Sequence, residues 1–256
     1  MNKDPIRIIS RLDIKSNKVV KGINLEGVRQ VGEPKLLAEK YYKQGVDEIL
    51  YMDVVASLYE RNTIAKFIKQ AAENIFVPLT VGGGIRNMQD IRNVLNNGAD
   101  KVAINTAAIK NKELIKKASQ EIGSQSILVS IEAKKKGIET WEAYYDNGRE
   151  KSGLDVIKWA KEAEQLGAGE LLVTSVDKEG LCKGMDLSLL VRLREIISIP
   201  IIFSGGVGKK EDIVAASQFA DGVALASILH YEKYQINEIK QLLKKENINI
   251  REEINI

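Results

Sequence analysis

Short runs of β-branched and aliphatic residues alternate along this chain with stretches in which apolar residues return every three or four positions. The runs are IRIISRLD (residues 6–13), EILYMDV (48–54), VPLTV (77–81), KVAIN (101–105), SILVSIE (126–132), ELLVTSV (170–176), IPIIFS (199–204) and DGVALAS (221–227). Short, nearly continuous apolar runs read as strands buried on both faces. Between them lie KLLAEKYYKQG (35–45), TIAKFIKQAAEN (63–74), MQDIRNVLNNG (88–98), NKELIKKASQEIG (111–123) and LDVIKWAKEAEQLG (154–167). Their spacing predicts amphipathic helices, several closed by the glycine expected just past a helix end.

The pattern repeats. Pro78 and Pro200 are 122 residues apart, as are Gly45 and Gly167, and Glu48 and Glu170. Ala99-Asp100 and Ala220-Asp221 stand 121 apart, and Asp13 and Glu132 stand 119 apart. The chain therefore reads as two similar halves, about 1–123 and 124–256, each with four strand-helix units. A unit roughly every 32 residues is the spacing of a (β/α)8 barrel, here expected as one domain over 1–256. A doubly wound open sheet is the alternative, but a half-repeat of four units closes more naturally into a ring.

Composition narrows the chemistry. The 256 residues are 44% hydrophobic and 29% charged with a net charge of +3, so no polyanion-coating surface is expected and no nucleic-acid partner. No run reaches the length of a membrane span and the start has no leader-like apolar segment, which predicts a cytoplasmic protein without a membrane partner. Cys182 is the single cysteine and His230 the single histidine. An internal disulfide and thiolate metal sites are excluded, transition-metal sites are disfavoured, and no metal or cofactor is expected. Acid and base work falls to carboxylates or lysines. His230 reads as a packing or hydrogen-bonding residue and Cys182 as an incidental thiol.

Barrel active sites sit at the C-terminal strand ends. There VPLTVGGGIRN (77–87) and IPIIFSGGVGK (199–209) place Gly84 and Gly206 in twin glycine loops, beside Asn105-Thr106 and Ala226-Ser227 after the following strands. Glycine lets backbone N–H groups approach an anion closely, so each neighbouring pair of loops forms a candidate phosphate cradle. One glycine loop is weak evidence, since turns need glycine anyway; two at symmetric positions suit a long substrate phosphorylated at both ends. Asp13 and Glu132 end the first and fifth strands between these cradles, as candidate acid and base. Either could instead pair with a nearby lysine. Lys21, just beyond the first strand, reads as a phosphate contact, a loop anchor or a solvated lysine.

Across nearly its whole length the chain resembles HisF, the cyclase subunit of imidazole glycerol phosphate synthase. RLDIKSNKVVKG is similar to that family's opening motif, TVGGGIRN with KVAINTAA to its first phosphate site, and SGGVG with ALAS to its second. The resemblance implies a half-repeat barrel that takes ammonia from a HisH-like glutaminase in a heterodimer. It would react that ammonia with a phosphoribulosyl-formimino aminoimidazole carboxamide ribonucleotide, giving imidazole glycerol phosphate and an aminoimidazole carboxamide ribotide. By resemblance Asp13 is a catalytic acid or base and Lys21 lies in a mobile active-site loop. Gly84, Asn105 and Thr106 would hold one phosphate, and Gly180, Gly206, Ala226 and Ser227 the other, with Glu179 beside it. Arg7, Glu48, Lys101 and Glu170 match a charged ring at the opposite mouth through which ammonia enters; read from the residues alone, two charges of each sign at strand starts fit a salt-bridged plug equally well.

The sequence departs from the family pattern. Glu132 stands where an aspartate is usual, and Glu179-Gly180-Leu181 where Asp-Gly-Thr is usual. Arg11 shares its strand face with Asp13 and so points into the barrel, where a guanidinium needs an anion; Asp13 and Glu132 are the candidates. These departures leave open an authentic cyclase with adjusted spacing, a paralogue delivering ammonia for amidine formation on a surface-glycan sugar, and a largely non-catalytic partner that activates a glutaminase.

Overall fold

A computed structural model describes residues 4–55 and 64–251. In chain order its strands are β1 (Arg7–Lys15), β2 (Lys18–Ile23), β3 (Glu26–Gly32), β4 (Glu48–Asp53), β5 (Leu79–Gly82), β6 (Lys101–Ile104), β7 (Ile127–Gly137), β8 (Thr140–Tyr145), β9 (Glu150–Asp155), β10 (Glu170–Ser175), β11 (Ile201–Ser204) and β12 (Gly222–Leu225). Eight of them pair in parallel in the order β1-β4-β5-β6-β7-β10-β11-β12, and β12 pairs back onto β1. The sheet is a closed barrel with β1 and β7 on opposite sides, as expected for a (β/α)8 fold. The open doubly wound sheet is ruled out.

The helices are α1 (Pro34–Lys43), α2 (Ile64–Ala72), α3 (Met88–Asn96), α4 (Thr106–Lys110), α5 (Glu113–Ile122), α6 (Val156–Gln165), α7 (Leu187–Arg194), α8 (Lys210–Ala216), α9 (Ser227–His230) and α10 (Ile236–Lys245). The helix expected over 63–74 begins at a residue outside the described ones. Strand alternation sorts the core into two layers. Ile8, Leu12, Ile49, Val102 and Val173 point outward and pack under the helices. Ile9, Leu50, Ala103, Leu128, Leu172, Ile202 and Ala224 point inward and fill the barrel. With the eight barrel strands buried on both faces, the near-continuous apolar runs of the sequence are accounted for.

Four strands were not legible as strands. β1 runs on into an antiparallel hairpin with β2 and β3, and β7 runs on in the same way into β8 and β9. The tight turns are built at Ser16-Asn17 (φ 48° and 68°) and Asn24-Leu25 (φ 50° and 66°), the left-handed pairs that suit two-residue hairpin loops. Asp146-Asn147-Gly148 makes the corresponding turn of the second hairpin with φ of 52°, 59° and 75°. The Asn-Gly pair between two polar-alternating segments was the signal for it.

The half-repeat extends to single hydrogen bonds. Leu79 and Ile201 each donate a backbone N–H to an aspartate, Asp100 Oδ2 and Asp221 Oδ2, both at 2.8 Å. Pro78 and Pro200, which have no N–H to give a ladder, stand just before their strands and accept from Ile49 at 3.0 Å and Leu171 at 2.9 Å. The copies differ in one respect: Asp221 also pairs with Arg194 at 2.6 Å. Replacing Asp100 with alanine is expected to cost about 1 kcal/mol and Asp221→Ala about 2 kcal/mol, because the second also takes from the half-buried Arg194 guanidinium its carboxylate, leaving it only backbone carbonyls. Urea denaturation of the two variants checks the order.

Candidate active site

Along β1 the inward side chains are Arg7, Ile9, Arg11 and Asp13, so one strand carries charge at both ends of the barrel and an aliphatic residue between. At the N-terminal end Arg7, Glu48, Lys101 and Glu170 meet in a cycle. Arg7 bonds Glu48 at 2.9 Å and also Glu170, while Lys101 bonds Glu48 at 3.1 Å and Glu170 at 2.8 Å. Thr80 Oγ1 donates to Glu48 at 2.5 Å. Each carboxylate thus touches both cations, the mutual neutralisation that makes buried charge tolerable. Burial works against the Arg7 charge, but Glu170 and then Glu48 outweigh it and raise its pKa.

At the C-terminal end the two candidate carboxylates face each other from opposite strands in different surroundings. Asp13 is 5% exposed, and its Oδ1 accepts from Arg11 Nε at 2.9 Å. Lys21 Nζ stands 4.0 Å from its Oδ2. Burial alone would raise this carboxyl, but Arg11 and then Lys21 hold it below the usual range. Glu132, 7% exposed, has no cation in contact among the described residues; its Oε2 accepts from Gly148 N–H at 2.7 Å in the turn of the second hairpin. Burial pushes it up to about 7, against the weaker pull of that N–H and of Arg11. Of the two anions considered for Arg11, the structure places Asp13 in contact.

The first cradle is open. A cavity of about 360 Å³ is lined by Gly83, Gly84, Asn105, Thr106 and Glu132, so this candidate phosphate loop and one candidate catalytic group share a wall. Gly83 has φ +90°, and a β-carbon there would come within 2.1 Å of the Asp53 carbonyl oxygen, so only glycine fits. Sequence reasoning missed Asp146 and Asn147, which lie on the same wall; Thr106 Oγ1 and Asp146 Oδ1 are 3.1 Å apart.

The second cradle is closed. Glu179, Gly180, Gly206, Ala226 and Ser227 surround only about 20 Å³, room for about one water. The loop after β10 is folded down: Asn24 N–H donates to the Glu179 carbonyl at 2.8 Å and Gly184 N–H to that of Gly206 at 2.9 Å. Lys21, expected in a mobile loop, lies instead on β2, buried and paired with Glu179. The cradles still share backbone form, since Asn105 (φ −119°, ψ −82°) and Ala226 (φ −132°, ψ −82°) take the same uncommon conformation before α4 and α9. His230, on α9, is half-buried and pulled down to about 4 by desolvation of its ring; its Nδ1 shares a 2.7 Å hydrogen bond with the Tyr41 hydroxyl. It is a neutral hydrogen-bonding residue, as its isolation in the sequence indicated.

Residues 7–235 match the family described as "Histidine biosynthesis protein". The imidazole glycerol phosphate synthase subunit HisF of Legionella pneumophila is 53% identical over 207 residues, 81% of this chain and 98% of that protein. The chain belongs to the HisF family. Two further members of the same name, from Lactococcus lactis subsp. lactis and Thermococcus onnurineus, are 47% and 44% identical over 96% of this chain and 96% and 97% of their own. No helix among the described residues is long and apolar enough to cross a membrane. Within the HisF family frame, the glutamate at 132 is notable for its surroundings: among the described residues no cation stands in salt-bridge contact with it, in contrast to Asp13.

That difference has a thermodynamic signature. The folded protein binds the Glu132 proton more tightly than the unfolded chain does, so its ionisation removes stability as pH rises from about 4.5 to about 7. Relative to the parent, Glu132→Gln is expected to melt several degrees higher at pH 8 than at pH 5, because an uncharged amide escapes the cost. Equal differences at the two pH values would show an ordinary carboxyl.

Proposed function

We propose that this protein is the cyclase subunit of an imidazole glycerol phosphate synthase, using ammonia to convert phosphoribulosyl-formimino aminoimidazole carboxamide ribonucleotide into imidazole glycerol phosphate and aminoimidazole carboxamide ribotide. The observation that carries the reading is the opposed bias of Asp13 and Glu132 on facing strands: one is held ionised, the other keeps its proton near neutrality. Ammonia adds to the substrate's carbonyl carbon, its nitrogen gives a proton to Asp13, and the carbonyl oxygen leaves as water. The new nitrogen then closes the ring on the formimino carbon, and Glu132 gives a proton to the departing aminoimidazole nitrogen, so substrate plus ammonia yields the two products and one water. Two carboxylates in such complementary states support a working site over a non-catalytic partner. The relatives' shared name supports the cyclase over sugar amidination.

The substrate's two phosphates would occupy the two cradles, one against Gly84, Asn105 and Thr106, the other against Gly180, Gly206, Ala226 and Ser227. The second requires the loop bearing Glu179 and Leu181 to lift, releasing Lys21 to meet the incoming anion. Gly206 supports this use, because its φ of +95° and a β-carbon position 2.2 Å from the Gly184 carbonyl oxygen hold the backbone in contact with the loop that must move. Remote phosphate binding would thus be spent on assembling the site.

Ammonia would come from a HisH-like glutaminase docked over the N-terminal end, in a cytoplasmic heterodimer. Ammonia released to neutral water is mostly ammonium, so the supply must be enclosed, and the ring of Arg7, Glu48, Lys101 and Glu170 is the entrance on that side.

Asp13→Asn is expected to abolish ammonium-fed turnover while leaving melting and substrate binding close to the parent, since an amide keeps the shape but cannot take the proton. Single-turnover chemistry beside thermal melting reads this out; near-normal turnover would assign the base elsewhere. Lys101→Ala is expected to impair the glutamine-fed reaction about tenfold more than the ammonium-fed one, with some stability lost through Glu48 and Glu170 left with one partner fewer. Equal loss of both activities, with partner affinity unchanged, would make the ring a plug.

A further inference from the structure

Arg11 is 2% exposed, at the level of the barrel just below the two carboxylates. Its guanidinium leaves β1 and reaches β10 and β11: Nε donates to Asp13 Oδ1 at 2.9 Å, and Nη1 to Thr174 Oγ1 at 2.8 Å and Ser204 Oγ at 3.4 Å. Much of the barrel wall is aliphatic, so the charge needs anions inside it, and Asp13 is the one in contact, with Glu179 and Glu132 adding support from further away. The dependence is mutual. Asp13 is gripped at one oxygen by a group that is itself anchored on two other strands, a fork that a flexible ammonium could not reproduce.

Arg11 and Asp13 continue into a chain of alternating charge, through Lys21 on β2 to Glu179 in the loop after β10. Among the described residues, the other titratable groups facing Asp13 are Glu132 on β7 and the neutral His230 on α9. Glu132 stands outside the chain of contacts. The arrangement separates the two carboxylates chemically even though they share a cleft.

We propose that Arg11 is the positioning residue of the reaction: braced on Thr174 and Ser204, it holds one oxygen of Asp13 and leaves the other, Oδ2, to receive the proton. This rests on the reading of Asp13 as the base. A buried ion pair kept only for folding would leave the pH dependence of turnover where it was.

The test is the ammonium-fed reaction from pH 5 to 9, expressed per free ammonia, for Arg11→Gln and Arg11→Lys. Arg11→Gln is expected to lower kcat about tenfold or more, to change substrate KM by less than about threefold, and to move the acidic limb of kcat/KM up by about one pH unit, since Asp13 loses its nearest cation. Arg11→Lys should return the limb while kcat stays low, because the charge is restored without the brace. A folded Arg11→Gln whose acidic limb does not move overturns the proposal. Should that variant not fold, Thr174→Val, which removes a brace and keeps the charge, is expected to lower kcat with the limb in place; unchanged kcat there also overturns it. An active Asp13→Asn would instead sink the base assignment itself, whereas a dead Asp13→Asn with an unmoved limb in Arg11→Gln sinks only the role given to Arg11.

Discussion

Charge inside a barrel lined with Ile9, Leu50, Leu172 and Ile202 must find its counter-charge inside the barrel too. Both ends of the molecule obey that constraint, and they obey it differently. At the N-terminal end four groups form a closed cycle in which no charge is left over. At the other end the chain of Arg11, Asp13, Lys21 and Glu179 is open, and Glu132 falls beyond it. A closed cycle has no group free to change protonation state at low cost. A carboxyl left outside an open chain does, and its environment moves it to where a proton can be exchanged at neutral pH.

The two halves show how far a repeat can drift while its frame holds. Backbone details survive: the aspartates that receive Leu79 and Ile201, the prolines before those strands, and the matched conformations of Asn105 and Ala226. The side chains aimed into the cleft have separated. One cradle opens onto a cavity that a substrate could enter, and the other is shut by its own loop. Equal frames with unequal fillings give the long axis of a substrate a direction.

The barrel was legible because it is written in redundant signals. Buried parallel strands impose apolar runs, and the repeat wrote each of them twice. The glycine loops and the two strand-end carboxylates followed from their places in that register, as did the inward aim of Arg11, which needs only strand alternation. What stayed hidden depends on distance across the fold. SNK and DNG drew no strand assignment because hairpin signals are short, so Asp146 and Asn147 were missed on the cavity wall. The family resemblance put Lys21 in a mobile loop, and its partner Glu179, 158 positions away, could not be read from residue order. The choice between Asp13 and Glu132 as the partner of Arg11 turned on reach, which residue order does not encode. The four charges at strand starts could be named from the sequence, but their cyclic pairing exists only once the barrel closes.

Closure of the ring between β1 and β12 has a consequence for how the protein is made. The first strand emerges from the ribosome carrying Arg7, Arg11 and Asp13, yet the brace at Ser204 lies 193 positions further along. At cellular rates of synthesis that is a delay on the order of ten seconds or more, during which the Arg11 guanidinium must stay in water because the interior that will hold it has no wall. The nascent N-terminal half therefore cannot bury its own first strand in the native way. The native setting of the Arg11 guanidinium is complete only once β10 and β11 have supplied Thr174 and Ser204.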